Sequence, residues 1–274
     1  MNDLTIDREL RLPPLTDSLQ RLLGLSAHER NNLRLLELLA HRDTMATTRL
    51  MMLANSAAFH RGKGVSTVSD AILRLGAATT YDALLSTWLL SSLPGSDEPT
   101  QQEQRLRGRL AQVLTGLCIT ARRICEALGD PSVALSDVQR DIVLVVAVQL
   151  LALSPDAGEA ERQALKVAVD EGALLISEPP NPTYLQEYLL ALAAYWRACP
   201  THLGQLREWA RQRTPSLGIA IGIVAERMAF FLRRKPDCTQ DTFLDSLSAY
   251  PVAAQLVQRV AARGVLLRSL SVSL

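Results

Sequence analysis

Hydrophobic residues recur at helical spacing along most of the chain. The leucines of LTDSLQRLLGL (15–25) and of NNLRLLELLAHRD (31–43) lie three or four residues apart, and Asn31 or Asn32 is available to cap the second helix. Runs in which Val, Ile or Thr alternate with polar residues between turns do not occur. The pattern therefore predicts an all-α protein.

The next helix is predicted in TMATTRLMMLANS (44–56), and two lines of residues run along it. One line is formed by Met45, Thr48, Met52 and Asn55, and the line beside it by Leu50, Leu53 and Ala54. Stripes rich in Leu and Met are usually buried in a helical protein, so we expect both lines to face the core.

A linker is predicted where the composition changes most clearly, in LPGSDEPTQQEQ (93–104), which combines two prolines and a glycine with polar and acidic residues. We expect an N-terminal helical half (1–93), a linker (94–104), a helical bundle (105–235) and a C-terminal helical extension (236–274). Within the bundle, the spacing of apolar residues after a proline-rich loop predicts helices at about 184–198, 201–212 and 216–234.

Composition narrows the classes of function. The 274 residues are 48% hydrophobic, enough for a sizeable core, and the net charge of +1 gives no overall attraction to nucleic acid or to an anionic membrane. The longest apolar run, from Ile142, is shorter than the ~20 residues that span a bilayer. The first residues include Asp3, Asp7 and Glu9 without an apolar run, unlike a signal peptide. We therefore expect a cytoplasmic protein without nucleic-acid or membrane partners.

The cysteines are more typical of core positions than of a disulfide or a zinc site. The chain has four, Cys118, Cys125, Cys199 and Cys238. On one helix the first two would lie about 10 Å apart, whereas a disulfide needs Cα atoms within about 7 Å. There is no C-x-x-C motif and no Cys/His cluster at zinc-ligand spacing.

The histidines do not indicate a metal centre. The chain has four, His28, His41, His60 and His202, and no two of them are spaced as helical ligand pairs. His41 begins an H-R-D tripeptide, but the other protein-kinase motifs are missing. No G-x-S-x-G motif supplies a nucleophilic serine. We therefore predict no catalytic residue, no metal and no cofactor.

The turn HRGKGVS (60–66) resembles a phosphate-binding loop only superficially. A Walker A motif ending at Lys63 needs glycine at position 57, where Ala57 stands, and a dinucleotide fingerprint needs glycine in place of Thr67. The structural interpretation is a chain reversal in which Gly62 and Gly64 supply positive φ and Ser66 or Ser69 caps the next helix.

A second interpretation gives the same turn a binding role. Asn55, His60, Arg61 and Lys63 are candidates for an exposed edge against which a partner protein docks. Asn55 ends an apolar helix, where an amide side chain more often satisfies backbone groups in the turn than binds a ligand.

Three segments together resemble the HDOD family of bacterial signalling domains. They are LPPLTDSLQRLL, LLELLAHRDTMATTRLMMLANSAAFH and GVSTVSDAILRLGAATTYDALL, and they cover about residues 11–90. The resemblance includes a helix that ends in Ala-Asn-Ser and a following Ser-x-x-x-Ala-Ile-x-x-Leu-Gly helix. Thr44 stands where the family usually has proline. The resemblance implies an all-α, HD-related fold.

The segment RDIVLVVAVQLLALS resembles the helix on which metal-dependent HD phosphohydrolases, including HD-GYP phosphodiesterases, carry adjacent His and Asp ligands. In this alignment the two positions hold Gln149 and Leu150. A later segment keeps Trp196 and Pro200, and Glu208 and Trp209 replace its usual histidines. The resemblance therefore implies an HD-like bundle that has lost its metal centre.

Three functions remain open. The HDOD resemblance implies a non-catalytic regulatory module that acts through protein contacts in a two-component or cyclic-di-GMP pathway. No receiver domain is evident, so its partner would be a separate chain or a removed segment. The alternatives are an HD phosphohydrolase with an atypical metal site and a nucleotide sensor. The sensor would use basic residues of two helices, namely Arg105, Arg107, Arg109, Arg233 and Arg234.

Overall fold

All regular structure in the described residues is helical. The computed structural model describes residues 17–60, 62–91, 100–130, 133, 135–149, 158–175, 216–234 and 237–270. The helices are α1 (Asp17–Gly24), α2 (Ala27–Arg30), α3 (Leu33–Ala40), α4 (Thr44–Ala54), α5 (Val68–Ser91), α6 (Gln101–Leu128), α7 (Leu135–Gln149), α8 (Glu159–Glu171), α9 (Leu217–Arg234), α10 (Gln240–Asp245), α11 (Pro251–Ala262) and α12 (Leu267–Leu270). The all-α prediction is confirmed.

Short polar side chains begin several of these helices by accepting hydrogen bonds from their first backbone N–H groups. Asn32, one of the two expected caps, accepts from Leu35 N at the start of α3. At the start of α5 the cap is Thr67, which accepts from Asp70 N at 3.1 Å. The expected caps Ser66 and Ser69 do not have this role, and Ser69 instead donates to the Glu37 carboxylate.

In the N-terminal half, α1, α3 and α4 pack around the long helix α5. The indole of Trp88 is 1% exposed, and its Nε1 donates to Asp43 Oδ2 at 2.7 Å. The other carboxylate oxygen, Oδ1, caps α4 by accepting from Met45 N and Ala46 N. The Asp43 side chain therefore caps α4 and also links it to α5 through Trp88.

Helix α5 bends at Gly76, whose φ of 74° and ψ of 165° are not helical. An alanine Cβ at this position would meet nothing within 4 Å, so the backbone conformation alone requires glycine. We expect Gly76→Ala to lower the free energy of unfolding by about 1–3 kcal/mol, because a positive φ combined with an extended ψ is a conformation that essentially only glycine adopts. Urea unfolding of the variant and of the wild type measures this difference in the free energy of unfolding.

Gly108→Ala is the matched control for Gly76→Ala. Gly108 lies inside α6, has no positive φ and has open space around it. Alanine there should leave stability unchanged or raise it by up to about 1 kcal/mol, because alanine is the better helix former. An equal response of the two variants would contradict the role given to Gly76.

The second half is built on α6, which packs against α7, α9 and α11 and also against α5. The buried residues of both halves therefore form one hydrophobic cluster. Helix α6 begins at Gln101, inside the expected linker at 94–104. The predicted helix at 216–234 is present as α9, whereas the helices predicted at 184–198 and 201–212 lie outside the described residues.

Close packing of α9 depends on its glycines. A Cβ on Gly222 would lie 2.7 Å from Leu175 Cδ1 and 2.9 Å from Ile142 Cγ1. Glycine at this position therefore allows α9 to approach α7 and the turn after α8. Among the described helices, none has both the length and the apolar composition needed to cross a membrane.

The described cysteines are in the thiol form and lie at core or half-buried positions. Cys118 is fully buried, Cys125 and Cys238 are half-buried, and Cys199 lies outside the described residues. Burial raises the pKa of the Cys125 thiol to about 12 and that of Cys118 well above its usual value. Both thiols are therefore protonated and unreactive at neutral pH.

Candidate functional site

The turn between α4 and α5 is held by the side-chain amide of Asn55. Its Nδ2 donates to Val65 O at 3.1 Å, and its Oδ1 accepts from Val65 N at 2.8 Å. The Asn55 amide thereby donates one hydrogen bond to the Val65 backbone and accepts one from it, as the backbone of a neighbouring strand would. A Cβ on Gly64 would lie 3.4 Å from Asn55 Oδ1, so the chain passes close to this amide.

Arg74 of α5 braces the turn from the other side. Its guanidinium donates to Ala54 O at 3.2 Å and to Lys63 O at 2.6 Å. Gly62 has the expected positive φ, 81°, whereas Gly64 does not. The result is a turn whose backbone is bound at Ala54, Lys63 and Val65.

The predicted edge residues project from this braced turn. Asn55, His60 and Lys63 are exposed. Arg61 lies outside the described residues. The described edge is therefore basic at Lys63 and carries an imidazole at His60, and partner binding at this edge remains a prediction.

Helix α4 turns one of its two lines of residues toward solvent. The side that packs into the core holds Ala46, Leu50, Leu53 and Ala54. Met45 is 66% exposed and Met52 57%, and Thr48 between them is also exposed. The expectation that the methionine line faces the core is wrong, because α5 lies against the leucine line.

A second feature of the site is its lack of negative charge. Between Thr44 and Ser69 the sequence contains Arg49, His60, Arg61 and Lys63 but no Asp or Glu. The exposed methionines and the basic turn therefore share a segment with positive charge alone. We call the exposed residues Met45, Thr48, Met52, Asn55, His60 and Lys63 the α4 face.

A buried polar cluster joins the half that carries the α4 face to the bundle. Asp82 of α5 is fully buried and accepts hydrogen bonds from Arg122 Nε of α6, at 3.3 Å, and from Gln139 Nε2 of α7. Arg122 also donates to Thr79 Oγ1 at 3.2 Å. Burial raises the pKa of Asp82 to about 7, although Arg122 opposes this by stabilising the carboxylate.

Glu226 of α9 is a second buried carboxyl group. It accepts hydrogen bonds from the backbone N–H groups of Leu174 and Leu175, which follow α8, the second at 2.9 Å. Burial raises its pKa to about 7, and these two hydrogen bonds act in the opposite direction. The sequence analysis missed both Asp82 and Glu226, although each is a lone carboxyl group in an apolar run and could have been found by that signal.

A groove of about 150 Å³ brings together two of the arginines considered for nucleotide sensing. Arg109 of α6 and Arg234 of α9 both line it, and both contact Asp170 of α8. Arg109 pairs with the Asp170 carboxylate, and Arg234 donates to its backbone oxygen at 3.0 Å and lies over the Phe230 ring. Both guanidinium groups of the groove are therefore already engaged.

The positions aligned with the HD metal ligands are only partly described. Gln149 is buried at the end of α7, and Leu150 lies outside the described residues, as do Trp196, Pro200, Glu208 and Trp209. In the part of the chain that the structure describes, no three His, Cys, Asp or Glu side chains converge as a metal site.

A comparison with protein-family models decides the family of the N-terminal part. The HDOD domain model matches residues 12–137. Residues 12–137 belong to the HDOD family. The match begins where the resemblance begins, and it continues past residue 90 through α6 into α7. The α4 face lies within the HDOD segment, whereas Gln149 and Leu150 lie beyond its end.

Two solved structures resemble the chain. An HDOD domain protein of unknown function from Geobacter sulfurreducens is 17% identical with a TM-score of 0.55, over 94% of this chain and 91% of that one. At this identity the likeness shows a shared HDOD-type fold. A candidate metal-dependent phosphohydrolase from Shewanella amazonensis SB2B is 11% identical with a TM-score of 0.45, over 92% of each chain. A search of curated proteins gave no match.

Proposed function

We propose that this protein is a non-catalytic bacterial signalling module that regulates a partner through protein contacts on the α4 face. The observation that carries the proposal is the exposure of Met45 and Met52 beside a braced basic turn, within the HDOD segment. Large apolar side chains more than half exposed on one helix face are a recurrent feature of protein interaction sites. The pathway we propose is two-component or cyclic-di-GMP signalling in the cytoplasm, as the HDOD resemblance implies.

The residues at the aligned metal positions support a non-catalytic module. A catalytic metal needs at least three protein ligands, and an amide at Gln149 and an aliphatic side chain at Leu150 are poor replacements for imidazole and carboxylate. The buried carboxyl groups of the described residues are used internally. Asp82 binds Arg122 and Gln139, Glu226 binds two backbone N–H groups, and Asp141 accepts a hydrogen bond from Ser216 Oγ at 2.7 Å.

The groove gives less support to the nucleotide-sensing alternative. An anionic nucleotide would have to displace Asp170 from Arg109 before it gained that charge. Phe230, whose ring could stack on a base, is already covered by the guanidinium of Arg234 at 5.3 Å. A nucleotide would therefore have to break the Arg109–Asp170 and Arg234–Phe230 contacts in order to bind.

Metal analysis and hydrolysis assays on the purified chain test the absence of catalysis. We expect less than stoichiometric metal by mass spectrometry, and no turnover of cyclic di-GMP or simple phosphate esters with added Mn²⁺. Tightly bound metal at one equivalent together with turnover would overturn the proposal and restore the phosphohydrolase alternative. Saturable binding of cyclic di-GMP without turnover, lost in Arg234→Ala, would favour the sensor instead.

A further inference from the structure

We propose that the partner of the α4 face is an acidic amphipathic helix of another protein. Its apolar side chains would contact Met45 and Met52, and its carboxylates would face Arg42, His60 and Lys63. This inference rests on the proposed function and specifies the chemistry of the partner. It combines the geometry of the two methionines with the charge of the groups around them.

The spacing of the methionines fits a partner helix. Met45 and Met52 are seven residues apart, so they lie two turns, or about 10 Å, from each other along α4. A helix that packs beside α4 presents apolar residues at the same interval through its i, i+3, i+4 and i+7 positions. Thr48 between the methionines is exposed and small, which leaves room for a partner side chain. Methionine is flexible and polarizable and adapts to the surface that it meets.

The charges at the two ends of α4 favour carboxylates on the partner. Arg42 is exposed just before α4, and His60 and Lys63 are exposed in the turn after it. Asp43 and Asp70 keep their negative charge, because the groups that donate to them are neutral. The basic residues of 42–74 nevertheless outnumber these two carboxylates, since they are Arg42, Arg49, Arg61, Lys63 and Arg74. The charge left for a partner to neutralise is therefore positive.

A protein helix fits these groups better than a nucleic acid does. Arg49, the basic residue in the middle of α4, is half-buried and donates to Gly108 O at 3.0 Å, so it faces α6 rather than solvent. Phe59, the aromatic residue next to the turn, is only partly exposed. Single-stranded nucleic acids are bound by aromatic side chains in a continuous basic groove, and the α4 face offers neither.

The rigidity of the turn favours affinity. Asn55 and Arg74 bind the backbone at Val65, Ala54 and Lys63 before any partner arrives. Little conformational entropy remains to be lost at Lys63 or His60 when a partner docks, apart from that of the side chains themselves.

Site-specific photo-crosslinking of the full chain tests the inference. Benzoylphenylalanine is incorporated at position 52 in cells that express the full chain, and at position 266 as the control. Leu266 is 77% exposed and far from α4 in the sequence. We expect a crosslink from position 52, and tandem mass spectrometry should assign it to a helical segment with apolar residues at i, i+3 or i+4 and i+7 and a net negative charge.

The crosslinked segment, made as a labelled peptide, then gives the energetic test by fluorescence anisotropy. Met45→Ser with Met52→Ser should weaken binding at least tenfold, as expected for the anchors of an interface. Arg42→Glu with Lys63→Glu should weaken it about tenfold at low salt and less at high salt. Val167→Ser on α8, also an exposed apolar position, is the control and should bind as the wild type does.

The outcomes separate this inference from the proposed function. A crosslinked segment that is basic or lacks helical apolar spacing, or a crosslink to nucleic acid or lipid, would overturn the acidic-helix partner. A protein crosslink of another chemistry would leave a protein-contact function standing. No protein crosslink from position 52, or as many from position 266, would count against both.

Discussion

Arg122→Met should lower the free energy of unfolding by about 3 kcal/mol at pH 8. Arg122 is 14% exposed and is the charged partner of Asp82, which is fully buried. Removal of one partner from a buried ion pair leaves an uncompensated charge, and this typically costs about 3–5 kcal/mol. We expect a loss at the lower end of this range because Gln139 still donates a hydrogen bond to Asp82.

The loss should become smaller as the pH falls. Burial raises the pKa of Asp82 to about 7 in the folded protein, against 3.8 for an unperturbed aspartate. Between these values the folded state binds more protons than the unfolded state, so stability falls as the pH rises from about 4 to 7, by at most about 1.4 kcal/mol per unit for this group. At pH 5 the carboxyl group is protonated in the folded state, and the loss of Arg122 then removes hydrogen bonds and the exposed ion pair with Glu126, which is worth less than about 1 kcal/mol.

Urea unfolding at pH 5 and pH 8 measures both effects. The control is Arg162→Met, because Arg162 is exposed and its ion pair with Glu159 at 3.8 Å, like other exposed pairs, is worth less than about 1 kcal/mol. Asp82→Asn combined with Arg122→Met should recover much of the stability lost at pH 8, since it also removes the buried charge. A loss that is equal at the two pH values would show that Asp82 is not the group that responds.

Gly172→Ala should lower the free energy of unfolding by about 3 kcal/mol. Gly172 ends α8 with a φ of 60°, which costs an L-residue about 1–2 kcal/mol. In addition, an alanine Cβ would lie 2.6 Å from Phe230 Cβ, an atom fixed close to the backbone of α9. Overpacking of this kind costs about 1–3 kcal/mol more.

Gly264→Ala is the control that separates the two contributions at Gly172. Gly264 follows α11 and also has a positive φ, 74°, but the position of a Cβ on it is empty. The difference between the two variants in urea unfolding therefore reports the steric cost of contact with Phe230. If Gly172→Ala costs no more than Gly264→Ala, the close approach of α8 and α9 does not limit this position.

The Asp82 cluster joins the helix beneath the α4 face to the bundle. It connects α5, on which α4 packs, to α6 and α7. Under the function that we propose, these contacts would carry a change at the α4 face into the bundle through α5. The Arg122→Met variant alters these contacts and leaves the residues of the α4 face unchanged.

Local signals in the sequence were sufficient for several of the described helices and for the HDOD segment. The spacing of the leucines predicted helices α1 and α3, and Asn32 caps α3 as one of two expected residues. The Ala-Asn-Ser and Leu-Gly segments indicated the HDOD family, and there Asn55 binds the backbone of the turn and Gly76 has a non-helical conformation. Helical period and capping depend on residues within about four positions of each other, so a sequence displays them directly.

Only the tertiary structure decided which side of α4 is buried and which polar groups meet. Both lines of residues on α4 have helical spacing, and the packing of α5 buries Leu50 and leaves Met52 in solvent. Asp82 is 40 residues from Arg122 and 57 from Gln139, so helix packing alone brings them together. The sequence by itself determined an all-α chain with an HDOD segment, whereas the exposed face and the buried cluster depend on contacts between helices that are distant along it.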